Sequence, residues 1–157
     1  MRAQALADTY GLDYVLAAPP EALRGTSYSA AARVGVPAII AEVGQQGIYD
    51  QASVNRHVAG LRNVLLQLRM LEGTPAPVRR PTRLSRFAWL YSEIPATYHP
   101  AVAAGDVVHQ DQVIGELRDL FGDVLQTLRA PAAGTVLFVI TALAVKQGDP
   151  LIGIGVP

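Results

Sequence analysis

Val102-Ala103-Ala104-Gly105-Asp106 and Val145-Lys146-Gln147-Gly148-Asp149 are two statements of one pattern, an apolar residue and two spacers before a Gly-Asp pair. Each is followed by apolar residues ending in glycine, Val113-Ile114-Gly115 and Leu151-Ile152-Gly153. Glycine supplies the positive φ of a tight turn, and the aspartate side chain can bond the turn's own backbone. Short apolar runs punctuated by Gly, Pro and Asp, with no helical period, predict a small all-β module over residues 100–157. The repeated half-motif predicts a β-sandwich with approximate two-fold symmetry.

Before this module the texture differs. Glu72-Gly73-Thr74-Pro75-Ala76-Pro77 breaks the chain after its longest helical pattern, which divides it into 1–73, a linker and leading strand over 74–99, and the β-module. Helix and strand signals alternate ahead of the break. Ala3 to Tyr10 reads as a helix closed by Gly11, and Tyr14 to Ala18 as a short strand. Thr26 or Ser27 can cap a helix through Ala30, Ala31 and Ala32 that Gly35 ends, and Pro37 to Val43 reads as a strand. A third helix is expected from Asp50 or Ser53 to Leu71, with Val54, Val58, Leu61, Val64, Leu65, Leu68 and Leu71 as its core stripe. His57 lies beside that stripe, where a packed or half-exposed helix histidine, rather than a ligand, is the plain expectation.

Composition removes several classes of function. Thirteen Lys plus Arg balance thirteen Asp plus Glu, so no net field draws nucleic acid or an anionic membrane. With no cysteine, disulfides, thiolate metal ligands and cysteine nucleophiles are absent together. The segment Met1 to Asp8 is too polar for a signal-peptide core, and no apolar run reaches the roughly 18 residues of a membrane span. A cytoplasmic protein is the default expectation.

Within the predicted strand, Glu42 is a lone carboxylate closing an apolar run just before Gly44-Gln45-Gln46-Gly47. Ligands of open α/β sheets bind at the carboxyl ends of strands, so Glu42 is a candidate catalytic acid or base. The alternative is a carboxylate that leaves the sheet into solvent or pairs with an arginine. Gln45 and Gln46 could line a substrate pocket or satisfy loop backbone. Arg79, Arg80, Arg83 and Arg86 precede Phe87, Trp89 and Tyr91. The aromatic alternation has the period of a strand covering one face, and the arginines read as a solvated strap, one of which could reach a substrate carboxylate.

Ala130-Pro131-Ala132-Ala133-Gly134-Thr135-Val136 resembles the connecting turn of biotinyl and lipoyl domains, which have the barrel-sandwich-hybrid fold. Those carriers present a modified lysine in the preceding hairpin. Here that stretch is Phe121-Gly122-Asp123-Val124-Leu125 and has no lysine, while Lys146, the only lysine, sits in the second Gly-Asp turn. A swinging-arm carrier is therefore not expected.

Gly25-Thr26-Ser27-Tyr28 with its alanine-rich helix, Pro37 to Gly47, a long helix and a lipoyl-like module follow one another in the order found in the succinylglutamate desuccinylase/aspartoacylase family. The chain resembles the carboxyl-terminal half of these zinc-carboxypeptidase-like deacylases. The resemblance implies a partial α/β/α sandwich over 1–73 followed by a barrel-sandwich hybrid. It also implies an enzyme that hydrolyses the amide bond of an N-acylated amino acid or similar small molecule. In it one zinc ion polarises the carbonyl and activates water, and a glutamate, matched here by Glu42, carries the proton to the leaving amine.

The family's zinc ligands include a His-x-x-Glu pair that this sequence lacks: none of His57, His99 and His109 has the spacing, and no metal ligand is assigned. Asp111 near His109 has the makings of a weak pair or of ordinary turn chemistry. The chain alone is thus expected to be inactive, either as part of a longer or split deacylase or as a non-catalytic interaction and assembly module derived from one. Self-association, or an amino-terminal half supplied by a longer or second chain, is the expected partnership. Ile39, Ile40 and Val43 are its candidate surface.

Overall fold

The computed structural model of the chain describes residues 2–17, 24–45 and 47–157. It is a mixed α/β chain of two compact units, 1–83 and 84–157. Their boundary falls inside the 74–99 stretch.

In the first unit, α1 (Ala3–Tyr10) ends where Gly11 takes φ +85° and returns its N–H to the Ala7 carbonyl. This left-handed closure is open to glycine because it has no Cβ. A short strand β1 (Tyr14–Leu16) pairs with β2 (Thr82–Leu84), and Thr82 N–H donates to the Asp13 carbonyl at 2.8 Å. Next comes α2 (Ser27–Arg33), whose Ser29 N–H donates to the Thr26 hydroxyl at 3.4 Å. The long α3 (Gln51–Gln67) is capped by Asp50, whose carboxylate accepts from Ala52 N at 3.3 Å and Ser53 N at 2.9 Å. The Asn63 side chain then binds the Ala76 backbone as donor and acceptor, at 3.4 and 3.0 Å, and holds the segment after the helix against it.

Two expectations change in this unit. The buried residues of α3 are Gly60, Asn63 and Leu66, whereas Val54, Val58, Leu61 and Leu68 are exposed, and Leu71 lies beyond the helix and is exposed. Close contact with α1 sets the face: a Cβ on Gly60 would lie 2.4 Å from Cε1 of Tyr10, so the ring occupies the space a side chain would need. Nor is Pro37 to Val43 a strand. Its residues have no backbone hydrogen-bond partner among the described residues, and a strand exists only where another pairs with it. The burial still alternates, with Ile39, Ala41 and Val43 half-buried and Ile40 and Glu42 exposed.

The second unit is all-β. One antiparallel sheet runs β3 (Arg86–Tyr91), β10 (Pro150–Val156), β8 (Gly134–Val139), β5 (Val107–Val108); the other runs β7 (Val124–Arg129), β6 (Val113–Arg118), β4 (Ala96–Pro100), β9 (Ala144–Val145). Both contribute to one core, with Ile114, Leu117, Val136, Leu151, Ile152 and Ile154 fully buried. Each sheet has free edges, and the described residues form no closed barrel. Ala130 and Ala132, from the predicted connecting turn, enter the core, and a Cβ at Gly134 would lie 2.3 Å from the Gly155 carbonyl oxygen. Gly134 is thus fixed by close backbone approach.

The Gly-Asp echo is structural. Ala103 N–H donates to Asp106 Oδ2 at 2.8 Å and Lys146 N–H to Asp149 Oδ2 at 3.0 Å, with Gly105 and Gly148 at φ +100° and +89°. A third copy, hidden from the sequence pattern, is His109–Gln112. His109 N–H donates to Gln112 Oε1 at 3.0 Å, and Asp111 takes φ +65° where the others use glycine. In all three the fourth residue's N–H returns to the first residue's carbonyl, at 3.1 to 3.2 Å.

The aromatic row lies on the outer side of β3. Ala88 and Leu90 join the core, while Trp89 stacks on Phe87 at 5.0 Å, lies 6.2 Å from Tyr91 and meets Phe138 edge-on at 5.3 Å. A Cβ at Gly153 would lie 2.5 Å from Phe87 Cε1, so the Phe87 and Trp89 rings occupy the space a side chain at Gly153 of β10 would need.

Candidate functional site

Glu42 stands on the exposed side of the 37–43 segment. Its neighbours Ile39 and Ala41 turn the other way and, with Leu6, Tyr10, Leu61 and Val64, line an apolar crevice of about 290 Å³ between α1, α3 and the segment. The carboxylate has neither a hydrogen bond nor an ion pair among the described residues, so the arginine partner allowed by the sequence is not found there. The chain turns just after it at Gly44, φ +91°, where a Cβ would lie 2.8 Å from the Ser53 hydroxyl. This close approach brings the end of the segment to the first turn of α3.

Around that turn the polar groups are organised. Ser53 Oγ donates to Asp50 Oδ2 at 2.5 Å, and this bond, with the backbone N–H groups of Ser53 and Ala52, holds the Asp50 carboxyl below its ordinary range. Gln45 is exposed and accepts from Ile48 N through its carbonyl at 3.4 Å. Gln46 lies outside the described residues. A carboxylate without a partner among the described residues, a glycine turn and a capped helix start thus follow one another along the chain from Glu42 to Ser53.

The histidines are apart and differently employed. Nδ1 of His57 is 2.7 Å from the Tyr10 hydroxyl, a bond joining α3 to α1, and burial raises the Tyr10 phenol above its ordinary value. Nε2 of His99 lies 3.1 Å from the Thr97 hydroxyl on β4. His109 and Asp111 share the third turn, and Asp111 contributes its carbonyl to Arg129 at 2.8 Å. No three His, Asp or Glu side chains converge on a metal position among the described residues. Arg83 pairs with Asp8 and Arg56 with Asp13, so Arg83 of the basic run is engaged within its own unit. No described helix is long and apolar enough to cross a membrane.

No protein-family model and no curated protein matches this sequence. Solved structures do. A succinylglutamate desuccinylase/aspartoacylase from Rhodobacter sphaeroides matches 97% of this chain with a TM-score of 0.81 at 22% identity, over 48% of its own length. The chain has the succinylglutamate desuccinylase/aspartoacylase fold. That fold is shared with an aspartoacylase family protein from Mesorhizobium loti, at TM-score 0.72 and 21% identity over 99% of this chain and 48% of that one. The product-bound ectoine utilization protein EutE (DoeB) from Ruegeria pomeroyi matches at TM-score 0.89 and 21% identity, again over 99% and 48%. This chain therefore spans about half the length of these desuccinylase/aspartoacylase-fold structures.

Proposed function

We propose that the chain is a carboxyl-terminal part of a deacylase that hydrolyses the amide bond of an N-acylated amino acid or similar small molecule, with Glu42 as general acid and base. The observation behind this reading is the match over nearly the whole chain to desuccinylase/aspartoacylase structures. Glu42 suits the role because it is solvent-accessible and has no cation partner among the described residues, which suits a carboxylate that accepts a proton from water and passes it to a departing amine. Gln45 and Gln46 are assigned to the substrate pocket beside it, and the second unit to a lipoyl-like barrel-sandwich hybrid without a carrier lysine.

Zinc, which the family resemblance implies, finds no ligand set in the described residues, since three protein donors are needed and three do not converge. No step of the reaction is assigned to a metal held by this chain. The donors, and the other pocket walls, are assigned to the half of the fold that the neighbours have beyond the matched part. The test is hydrolysis of N-acetyl and N-succinyl amino acids by this chain alone and by a polypeptide that completes the fold. Turnover only in the completed protein supports the reading. No turnover in either supports the second reading, an assembly module without catalysis.

A further inference from the structure

We infer that Ser53 is a positioning residue for Glu42 and acts through Gly44: its hydroxyl, locked by Asp50, fixes the end of the 37–43 segment and with it the carboxylate two residues before Gly44. This role rests on the deacylase reading of Glu42. A carboxylate that carries a proton has to be held within roughly 0.5 Å of its working position, and a strand normally supplies that precision through its ladder. Here 37–43 makes no backbone hydrogen bond among the described residues. Side-chain packing on either side of Glu42 takes the ladder's place. Ahead of it, Ile39 and Ala41 line the crevice with Leu6, Tyr10, Leu61 and Val64.

After it, the fixed point is Gly44. A Cβ there would lie 2.8 Å from Ser53 Oγ and 3.1 Å from Ser53 Cβ, so the backbone of the turn rests directly on the Ser53 side chain. Glycine alone combines that approach with a φ of +91° at no steric cost. Ser53 is half-buried in a turn whose other residues, Gln51 and Ala52, are exposed. Its hydroxyl proton is committed to Asp50 Oδ2 at 2.5 Å, and Asp50 in turn accepts from Ala52 N and Ser53 N at 3.3 and 2.9 Å. A hydroxyl has one proton to give, so this bond fixes the Ser53 rotamer that Gly44 packs on. The start of α3 thereby becomes the rigid element that locates the end of a segment without a ladder.

The test is Ser53→Ala, which deletes the hydroxyl but leaves Asp50 both backbone N–H groups, so the helix start keeps its cap. In this chain, nitrogen-15 relaxation of the Val43 and Gly44 amides is measured. Order parameters near about 0.85 are expected in the parent, falling below about 0.6 in Ser53→Ala while the amides of α3 keep theirs. In a polypeptide carrying the completed fold, Ser53→Ala should lower kcat about tenfold with KM within about twofold of the parent. In the Glu42→Gln background the same change should have no further effect on kcat, because a residue that acts through Glu42 has nothing left to position. Unchanged relaxation at Gly44, a kcat within about twofold of the parent, or a tenfold loss that persists in Glu42→Gln would each overturn the role of Ser53 and leave the deacylase reading standing. Parental activity in Glu42→Gln would overturn that reading, and the role of Ser53 with it.

Discussion

The Tyr10 hydroxyl lies 2.7 Å from Nδ1 of His57, and the same ring fills the space over Gly60, so one residue at the end of α1 is both bolt and spacer for α3. Tyr10→Phe keeps the spacer and removes the bolt, and should lower stability by about 1 kcal/mol in urea unfolding. Gly60→Ala drives a methyl into the ring and should remove about 1–3 kcal/mol. A Gly60→Ala chain as stable as the parent would mean the helices do not meet there.

Tyr98 is the counter-case. Its hydroxyl is buried without a hydrogen-bond partner among the described residues, and burial pushes its phenol well above the ordinary value of 10.0. Tyr98→Phe deletes an unsatisfied group and should be neutral or stabilising by about 1 kcal/mol. Because the folded pKa is raised, the native state retains the proton that the unfolded chain releases. The phenol's contribution is complete below the unfolded pKa and is lost as pH rises from there towards the folded value. Unfolding midpoints between neutral and strongly alkaline pH should thus fall more in the parent than in Tyr98→Phe.

Asp50 should show the opposite pH sense. Its carboxyl is held low by the Ser53 hydroxyl and two backbone N–H groups, so its stabilisation of α3 is present above the unfolded pKa and is lost as pH falls through the folded one. Asp50→Ala should bring faster amide exchange in the first turn of α3 at neutral pH, and should flatten the acid dependence of that exchange.

Two glycines of the β-module should respond unequally to alanine. Gly148 sits at φ +89° with open space around its Cβ position, so Gly148→Ala should cost only left-handed strain, about 1–2 kcal/mol. At Gly134 the methyl would meet the Gly155 backbone, which must move, so thermal unfolding should begin much earlier in Gly134→Ala.

Helices with local signals were legible in the sequence. Gly11 closes α1 and Thr26 caps α2 at their expected places, and the echoed Gly-Asp turns are built alike. The third turn escaped because its fourth residue is Gln112 and its positive φ falls on Asp111, so the geometry recurs under different letters. The stripe on α3 misled because periodicity marks an apolar face without saying whether a partner covers it. Leu61 and Val58 are apolar and exposed, while the packed face turns on Gly60 and Asn63. Pro37 to Val43 misled likewise: alternation is intrinsic to the segment, but pairing belongs to a neighbour. The Tyr10–His57 bond joins residues far apart in the chain, and no local pattern announces it.

The deacylase account turns on Glu42, and Glu42→Gln in a polypeptide carrying the completed fold tests it most directly. The measurement is kcat/KM for hydrolysis of an N-acyl amino acid. A proton carrier lost without loss of shape should lower kcat/KM by at least about 100-fold, mostly in kcat, with the unfolding midpoint unchanged. A Glu42→Gln enzyme retaining kcat/KM within about threefold of the parent would contradict the assignment of Glu42 to the chemistry.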